Sequence, residues 1–278
     1  MRVTRHTDPV AFIAAAAPMS ARGLASASFF EGWAHSLKRS PPEATDRVYL
    51  ATFADCGAVI QRDEGPAIIG QSDPGAAAAF AADLAPEWPA LQGVVGAPPA
   101  CDAFVRTWRE ATGRGAVERV RLRQHTLISV ADVPAVSGEA YISDEADVDW
   151  LLDGYLAFIA EVGMPDSHER ARARMPARIV RGDFRIWMRD GPVAFAGFND
   201  AAPEFARIAP VYTFPDHRGR GYATALVAAL SRELLAAGKR RLFLTTDIAN
   251  PTSNAIYARI GFVPETDEVH LDFVDAAG

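Results

Sequence analysis

The sequence predicts an α+β chain of two domains, each built on short strands and helices that share a mixed sheet. Three observations carry this. At 278 residues the chain exceeds the usual length of a single domain. Short runs of strand-forming residues alternate along it with longer segments of helical apolar spacing. Near residue 220 a strand, a glycine-bearing turn and an amphipathic helix follow one another without a gap.

Composition narrows the classes. Hydrophobic residues at 49% and charged residues at 23% are ordinary for a globular protein with a real core. The net charge of −7 argues against a nucleic-acid binder, which concentrates Lys and Arg on one surface, and favours a cationic or amine partner. Cys56 and Cys101 form no CxxC pair and have no histidines at ligand spacing. Neither a metal nor a disulfide framework is therefore expected, and the thiols fit a reducing cytoplasm. No long apolar stretch follows Arg2 and Arg5, and no run of about 18 apolar residues occurs, so neither a signal peptide nor a membrane span is expected.

In the N-terminal half, Asp8-Pro9 opens a helix, with Pro at its first position. Strands are expected at 48–53, 58–61 and 67–70, with hairpin turn chemistry at Arg62-Asp63-Glu64-Gly65. Asp73-Pro74 starts an alanine-rich helix to about Leu84. A short strand at 91–95, a helix from Cys101 to Thr112 stopped by Gly113, and a strand at 121–130 complete this half. The stretch 131–138, with Pro134, Ser137 and Gly138, separates two better-patterned regions. It sets the expected domains at 1–132 and 137–278.

The C-terminal half is more regular. Apolar residues at Val148, Leu151, Leu152, Tyr155 and Ile159 predict a helix over 144–162, stopped by Gly163. An Arg-rich helix follows over 167–179. Strands at 184–188 and 193–198 flank Asp190-Gly191, a hairpin signal. A strand at 208–214 leads to a helix over 223–237, with Leu226, Val227, Leu230 and Leu234 on one face. A strand at 242–246, a helix from Asn250 to Ile260 and a last strand at 269–274 close the chain.

The chemistry lies at 217–224. The first turn of a helix leaves amides without partners and carries partial positive charge, and glycines let that backbone approach an anion. Neither GxxxxGK[ST] nor GxGxxG fits. Arg218, Gly221 and Ala223 fill Arg-x-x-Gly-x-Ala instead. Downstream, Asn250, Ser253, Tyr257, Gly261 and Phe262 fill Asn-x-x-Ser-x-x-x-Tyr-x-x-x-Gly-Phe. These two segments, in this order with a helix and strand between them, resemble those of the GNAT (GCN5-related N-acetyltransferase) superfamily. The resemblance covers the C-terminal half of the chain.

The resemblance implies the GNAT acyl-CoA N-acyltransferase fold, with acetyl-CoA as co-substrate and no metal. It implies a pyrophosphate cradle at Arg218, Gly219, Arg220, Gly221, Tyr222, Ala223 and Thr224. The pantetheine arm would lie along Val211, Tyr212 and Thr213, with Asn250 and Asn254 as further contacts. Tyr257 would be the general acid at the departing thiolate. Pro210 fits a bulge in the strand it interrupts. The general base is not legible. Glu204, which precedes the central strand, is one candidate; Asp147, Asp149, Asp153 and Glu161 on the first helix could attract an amine, and Lys239, Arg240 and Arg241 after the long helix could sit near the cofactor's 3′-phosphate. The N-terminal half has the element order of a second, degenerate GNAT-like unit. It lacks the cradle pattern, so no cofactor is expected there. The implied function is transfer of an acetyl group to a primary amine, on a small molecule or a protein, by direct attack in a ternary complex; the alternative is a non-catalytic acyl-CoA sensor. No nucleic acid or membrane partner is expected, and the sequence sets neither the acceptor nor the oligomeric state.

Overall fold

A computed structural model of the chain describes residues 2–20, 30, 47–62, 65–163 and 168–275. Asp63 and Glu64 of the expected hairpin turn, and Ser167 at an expected helix start, lie outside the described residues. The first half runs β1 (Thr4–His6), α1 (Pro9–Ser20), β2 (Val48–Thr52), β3 (Ala58–Arg62), β4 (Ala67–Ile69), α2 (Pro74–Leu84), β5 (Gly93–Gly96), α3 (Pro98–Thr112) and β6 (Gly115–Leu127). It continues with β7 (Glu139–Ile142), α4 (Val148–Glu161), α5 (His168–Val180), β8 (Phe184–Met188), β9 (Pro192–Ala202) and β10 (Phe205–Thr213). The last elements are α6 (Tyr222–Ala236), β11 (Arg241–Asp247), α7 (Pro251–Ile260) and β12 (Val263–Val274).

The chain packs into two compact units. One holds Met1–His125, Thr245–Pro251 and Pro264–Gly278; the other holds Thr126–Leu244 and Thr252–Val263. Residues 245–251 and 264–278 thus belong to the first unit.

In the first unit the strand order is β1-β2-β3-β4-β5-β12-β6. Asp8 starts α1 as expected, its carboxylate accepting the amides of Val10 and Ala11 at 2.9 and 3.3 Å. Phe12, Ala16 and Met19, one helical face, pack with Leu50, Ile60 and Ile68. On a second cluster, Ala77, Phe80 and Leu84 of α2 and Phe104 and Trp108 of α3 join Val59, Ile69 and Val94. Strand β12 contributes Val269 and Phe273 to this core, and Phe273 stacks on Trp108 at 5.0 Å. Antiparallel pairing of Val269 with Gly96 fixes its register on β5.

In the second unit the order is β11-β10-β9-β8-β7, with β10–β11 parallel and the other described pairs antiparallel. Alternate side chains go to opposite faces of a strand. Thus Phe195 and Tyr212 meet Leu151 of α4 and Met175 and Ile179 of α5. Ala194, Ala196 and Ile208 meet Leu226, Val227 and Leu230 of α6.

Two short strands, β1 and β7, went unseen in the sequence. Strand β7 has four residues without an apolar alternation and begins at Glu139, right after the 131–138 stretch read as the boundary. Asp144 caps a 3₁₀ turn over Glu145–Asp147, and α4 starts only at Val148. Strand β12 begins six residues before the expected 269, because its first half, Val263 to Thr266, is exposed or half-buried and shows no apolar pattern.

Candidate functional site

The site is built on β10. Its parallel pairing with β11 covers only Phe205↔Arg241, Ala206↔Leu242 and Arg207↔Phe243. Beyond Arg207 its register partners lie on β9, with a shift between Ile208 and Val211. Pro210 sits inside that bulge, as its missing amide donor requires. Past the bulge, Phe214 donates its amide to Val193 O at the start of β9. Backbone groups alternate in direction along a strand. The N–H and C=O groups of Val211 and Thr213 therefore point away from β9; the Thr213 carbonyl already accepts from Arg218 Nε.

The chain leaves β10 through a 3₁₀ turn, Pro215–His217, and enters α6 over two glycines. Gly219 and Gly221 have φ of 75° and 83°, the left-handed region that favours glycine. Gly221 is the N-cap, and the first helical bond runs from Ala225 N to Gly221 O at 3.0 Å. The amides of Tyr222, Ala223 and Thr224 precede it and have no intrahelical acceptor. A Cβ on Gly219 would meet nothing within 4 Å, so open space adjoins this turn. Both the glycine conformations and the helix terminus fit a diphosphate.

The side chains of this segment divide sharply. Tyr222 and Thr224 have buried side chains, which leaves only their backbone to meet an anion. The Tyr222 hydroxyl accepts from Arg189 Nη1 at 3.1 Å. Arg220 is exposed. Arg218 turns back, donating Nε–H to Thr213 O at 2.9 Å and Nη2–H to Glu161 at 2.7 Å. Thr213 Oγ1 and His217 Nδ1 are buried polar atoms with no hydrogen-bond partner among the described residues.

Tyr257 reaches the same apolar cluster from α7, beside Leu244, Ile260 and Phe262. It is 9% exposed, and its ring meets Phe262 edge-on at 5.9 Å. Burial pushes its phenol well above the ordinary tyrosine range, which keeps it protonated at neutral pH. One turn earlier Asn254 is half-buried, whereas Asn250 is exposed, with its amide donated to Asp247 O.

Other candidates move away from the site. Glu204 precedes β10 at the end remote from the cradle, about 23 Å from Val211 by strand rise, and pairs with Arg240 at 3.2 Å. It is not placed to take an amine proton there. Lys239 and Arg240 follow the far end of α6, about 22 Å from Gly221 along the helix, so the 3′-phosphate role does not suit them. Asp147 accepts from the Tyr141 hydroxyl at 2.5 Å and closes the capping box of the 3₁₀ turn. Glu161 pairs with Arg218. Sequence reading missed the Arg189–Tyr222 and Glu161–Arg218 contacts, because the partners lie far apart along the chain.

Residues 149–262 match the acetyltransferase (GNAT) family. No curated protein matches the chain. Among solved structures, a Drosophila protein aligns over 99% of both chains at 14% identity and a TM-score of 0.66. A GCN5-related N-acetyltransferase from Sphaerobacter thermophilus aligns over 99% of this chain and 98% of its own, at 15% identity and a TM-score of 0.63. A tandem GNAT protein from the clavulanic acid biosynthesis pathway covers 89% of this chain and 88% of its own, at 18% identity and a TM-score of 0.55. At these identities the likeness is one of fold.

Proposed function

Because residues 149–262 are a domain of the acetyltransferase (GNAT) family, we propose that the protein is an acetyl-CoA-dependent N-acetyltransferase acting on a primary amine. The observation that carries this reading is the early end of β10–β11 pairing at Arg207↔Phe243, followed on the same strand by a glycine-bearing helix N-terminus. Acetyl-CoA supplies the acyl group as an activated thioester. The amides of Tyr222 to Thr224, freed by the left-handed glycines, bind its diphosphate. The outward backbone of Val211 and Thr213 pairs with the pantetheine arm as an added strand does, and the Val211 N–H polarises the thioester carbonyl. As the amine nitrogen bonds to the carbonyl carbon and the C–S bond breaks, Tyr257, protonated at neutral pH, donates its hydroxyl proton to the departing sulfur, and the proton released by the amine nitrogen restores the phenol. Asn254 and Asn250 are proposed as further contacts of the arm.

The first unit is proposed to bind no cofactor. Its crossover from β4 to α2 is already hydrogen-bonded: the Gly70 amide goes to Ala58 O and the Asp73 amide to Cys56 O. Pro74 then removes an amide from the helix terminus, and Asp73 places a carboxylate there. Gly93 and Gly96 lie in β5, where a Cβ on Gly93 would stand 2.1 Å from Leu271 O, so these glycines serve strand pairing.

The net charge of −7 supports a cationic acceptor, a small-molecule amine or a protein lysine, and not nucleic acid. No helix among the described residues is long and apolar enough to cross a membrane; a cytoplasmic setting, suggested by the two free thiols, is part of the proposal. The test is acetyl-CoA turnover against small amines and a lysine peptide, comparing wild type with Tyr257→Phe. The expected result is product with at least one amine and a loss in kcat of about ten- to a hundredfold in the variant, at unchanged KM for acetyl-CoA. Binding of CoA without turnover on any acceptor would favour a sensing role, and no CoA affinity would end the assignment.

A further inference from the structure

Arg218 is held on three sides. Nε–H goes to Thr213 O at 2.9 Å, Nη2–H goes to Glu161 Oε2 at 2.7 Å, and the guanidinium carbon lies 5.4 Å from the centre of the Tyr212 ring. A guanidinium carries five N–H donors in one rigid plane. Two are engaged here, and among the described residues no hydrogen bond from Nη1 is present. The backbone carbonyl and the ring locate the base of the side chain; Glu161 sets the rotation of its tip.

Glu161 stands in an unfavourable place for an acid. It is in the last turn of α4, which contains no basic residue. A carboxylate there meets the negative end of the helix dipole. Arg218 supplies the compensating charge, and no other ion pair to Glu161 is present among the described residues.

We infer that Glu161 is a positioning residue for the cofactor site, orienting the Arg218 guanidinium so that Nη1 stays available to a diphosphate at the α6 N-terminus. This rests on the acetyl-CoA reading above. It assigns α4 a part in cofactor affinity through a residue that touches no substrate, and it gives Arg218 a fixed geometry before the ligand arrives. Bidentate recognition of phosphate depends on that orientation, which a mobile arginine lacks.

The test combines calorimetry of CoA with steady-state kinetics on acetyl-CoA and on acetyl-pantetheine, which lacks the diphosphate. For Glu161→Gln the expected result is a loss of about three- to tenfold in CoA affinity. KM for acetyl-CoA should rise in step, kcat should stay within about twofold, and kcat/KM for acetyl-pantetheine should not change. In an Arg218→Gln background the same change should add nothing. Unchanged or tighter CoA binding overturns the inference. So does an equal loss with acetyl-pantetheine, which would mark a general weakening of α4, or an additive loss in the Arg218→Gln background. A wild-type chain that binds no CoA is a separate result and removes the cofactor reading itself.

Discussion

His270 carries the clearest single-residue consequence for stability. It lies on β12 in the first unit; its Nδ1 is 3.2 Å from Arg119 Nη2, and its Nε2 is buried without a described partner. Burial, and then the Arg119 charge, push its pKa down to about 4, with Asp272 opposing them weakly. The unfolded chain therefore takes up a proton near pH 6.5 that the folded chain refuses until about pH 4. Stability should be full above about pH 6.5 and fall as pH drops through that window, by about 1–3 kcal/mol from this residue. Urea unfolding at pH 7 and pH 5 measures it. His270→Asn should flatten the difference, and an equal difference in the variant would assign the acid sensitivity elsewhere. Nothing local in the sequence marks this histidine, because its environment is made by strands distant along the chain. Gly221 and Tyr257, by contrast, were legible, since each belongs to a short motif whose spacing follows one turn or one helix.

At the scale of elements, α6 and the turn before it joined pattern and chemistry most directly. The apolar face of Leu226, Val227, Leu230 and Leu234 and the paired glycines were readable because helix period and positive φ are local demands. The structure adds a distinction between the glycines. Both have positive φ, so Ala at either costs about 1–2 kcal/mol. A Cβ on Gly219 enters open space, whereas one on Gly221 would stand 3.2 Å from Val136 Cγ2. Relief of that contact shifts either the Val136 side chain or the N-cap and the amides beyond it by a few tenths of an ångström. Gly221→Ala should therefore weaken CoA binding by about tenfold, and Gly219→Ala by no more than about threefold. Calorimetry on the two variants decides; equal losses would mean that strain alone, and not the Val136 contact, controls the cradle. The short strands β1 and β7 were not readable for the opposite reason, since pairing with distant residues makes them strands and their own composition does not.

For the whole molecule, the informative feature is the destination of the last strand. A reader of the sequence assigns 269–274 to the domain it follows, because connections are usually short and neighbours in sequence usually pair. In the structure β12 pairs with β5, and Val269 and Phe273 complete the core formed by α2 and α3. Hydrophobic pattern announces that a strand needs a buried face; it does not say whose. The consequence is measurable. Phe273 packs against both Trp108 at 5.0 Å and Phe104 at 6.3 Å, which also touch each other at 6.0 Å, so Phe273→Ala should cost about 3–5 kcal/mol. Hydrogen exchange should show that loss in α2, α3 and β5, with α6 keeping its protection. A fragment of residues 137–278, cut where the sequence suggests, would carry Val269, Leu271 and Phe273 without the partners that bury them. It should bind a hydrophobic dye and aggregate on concentration. Cooperative unfolding of that fragment as a soluble monomer would instead make the C-terminal half self-sufficient, with β12 needed only by the first unit.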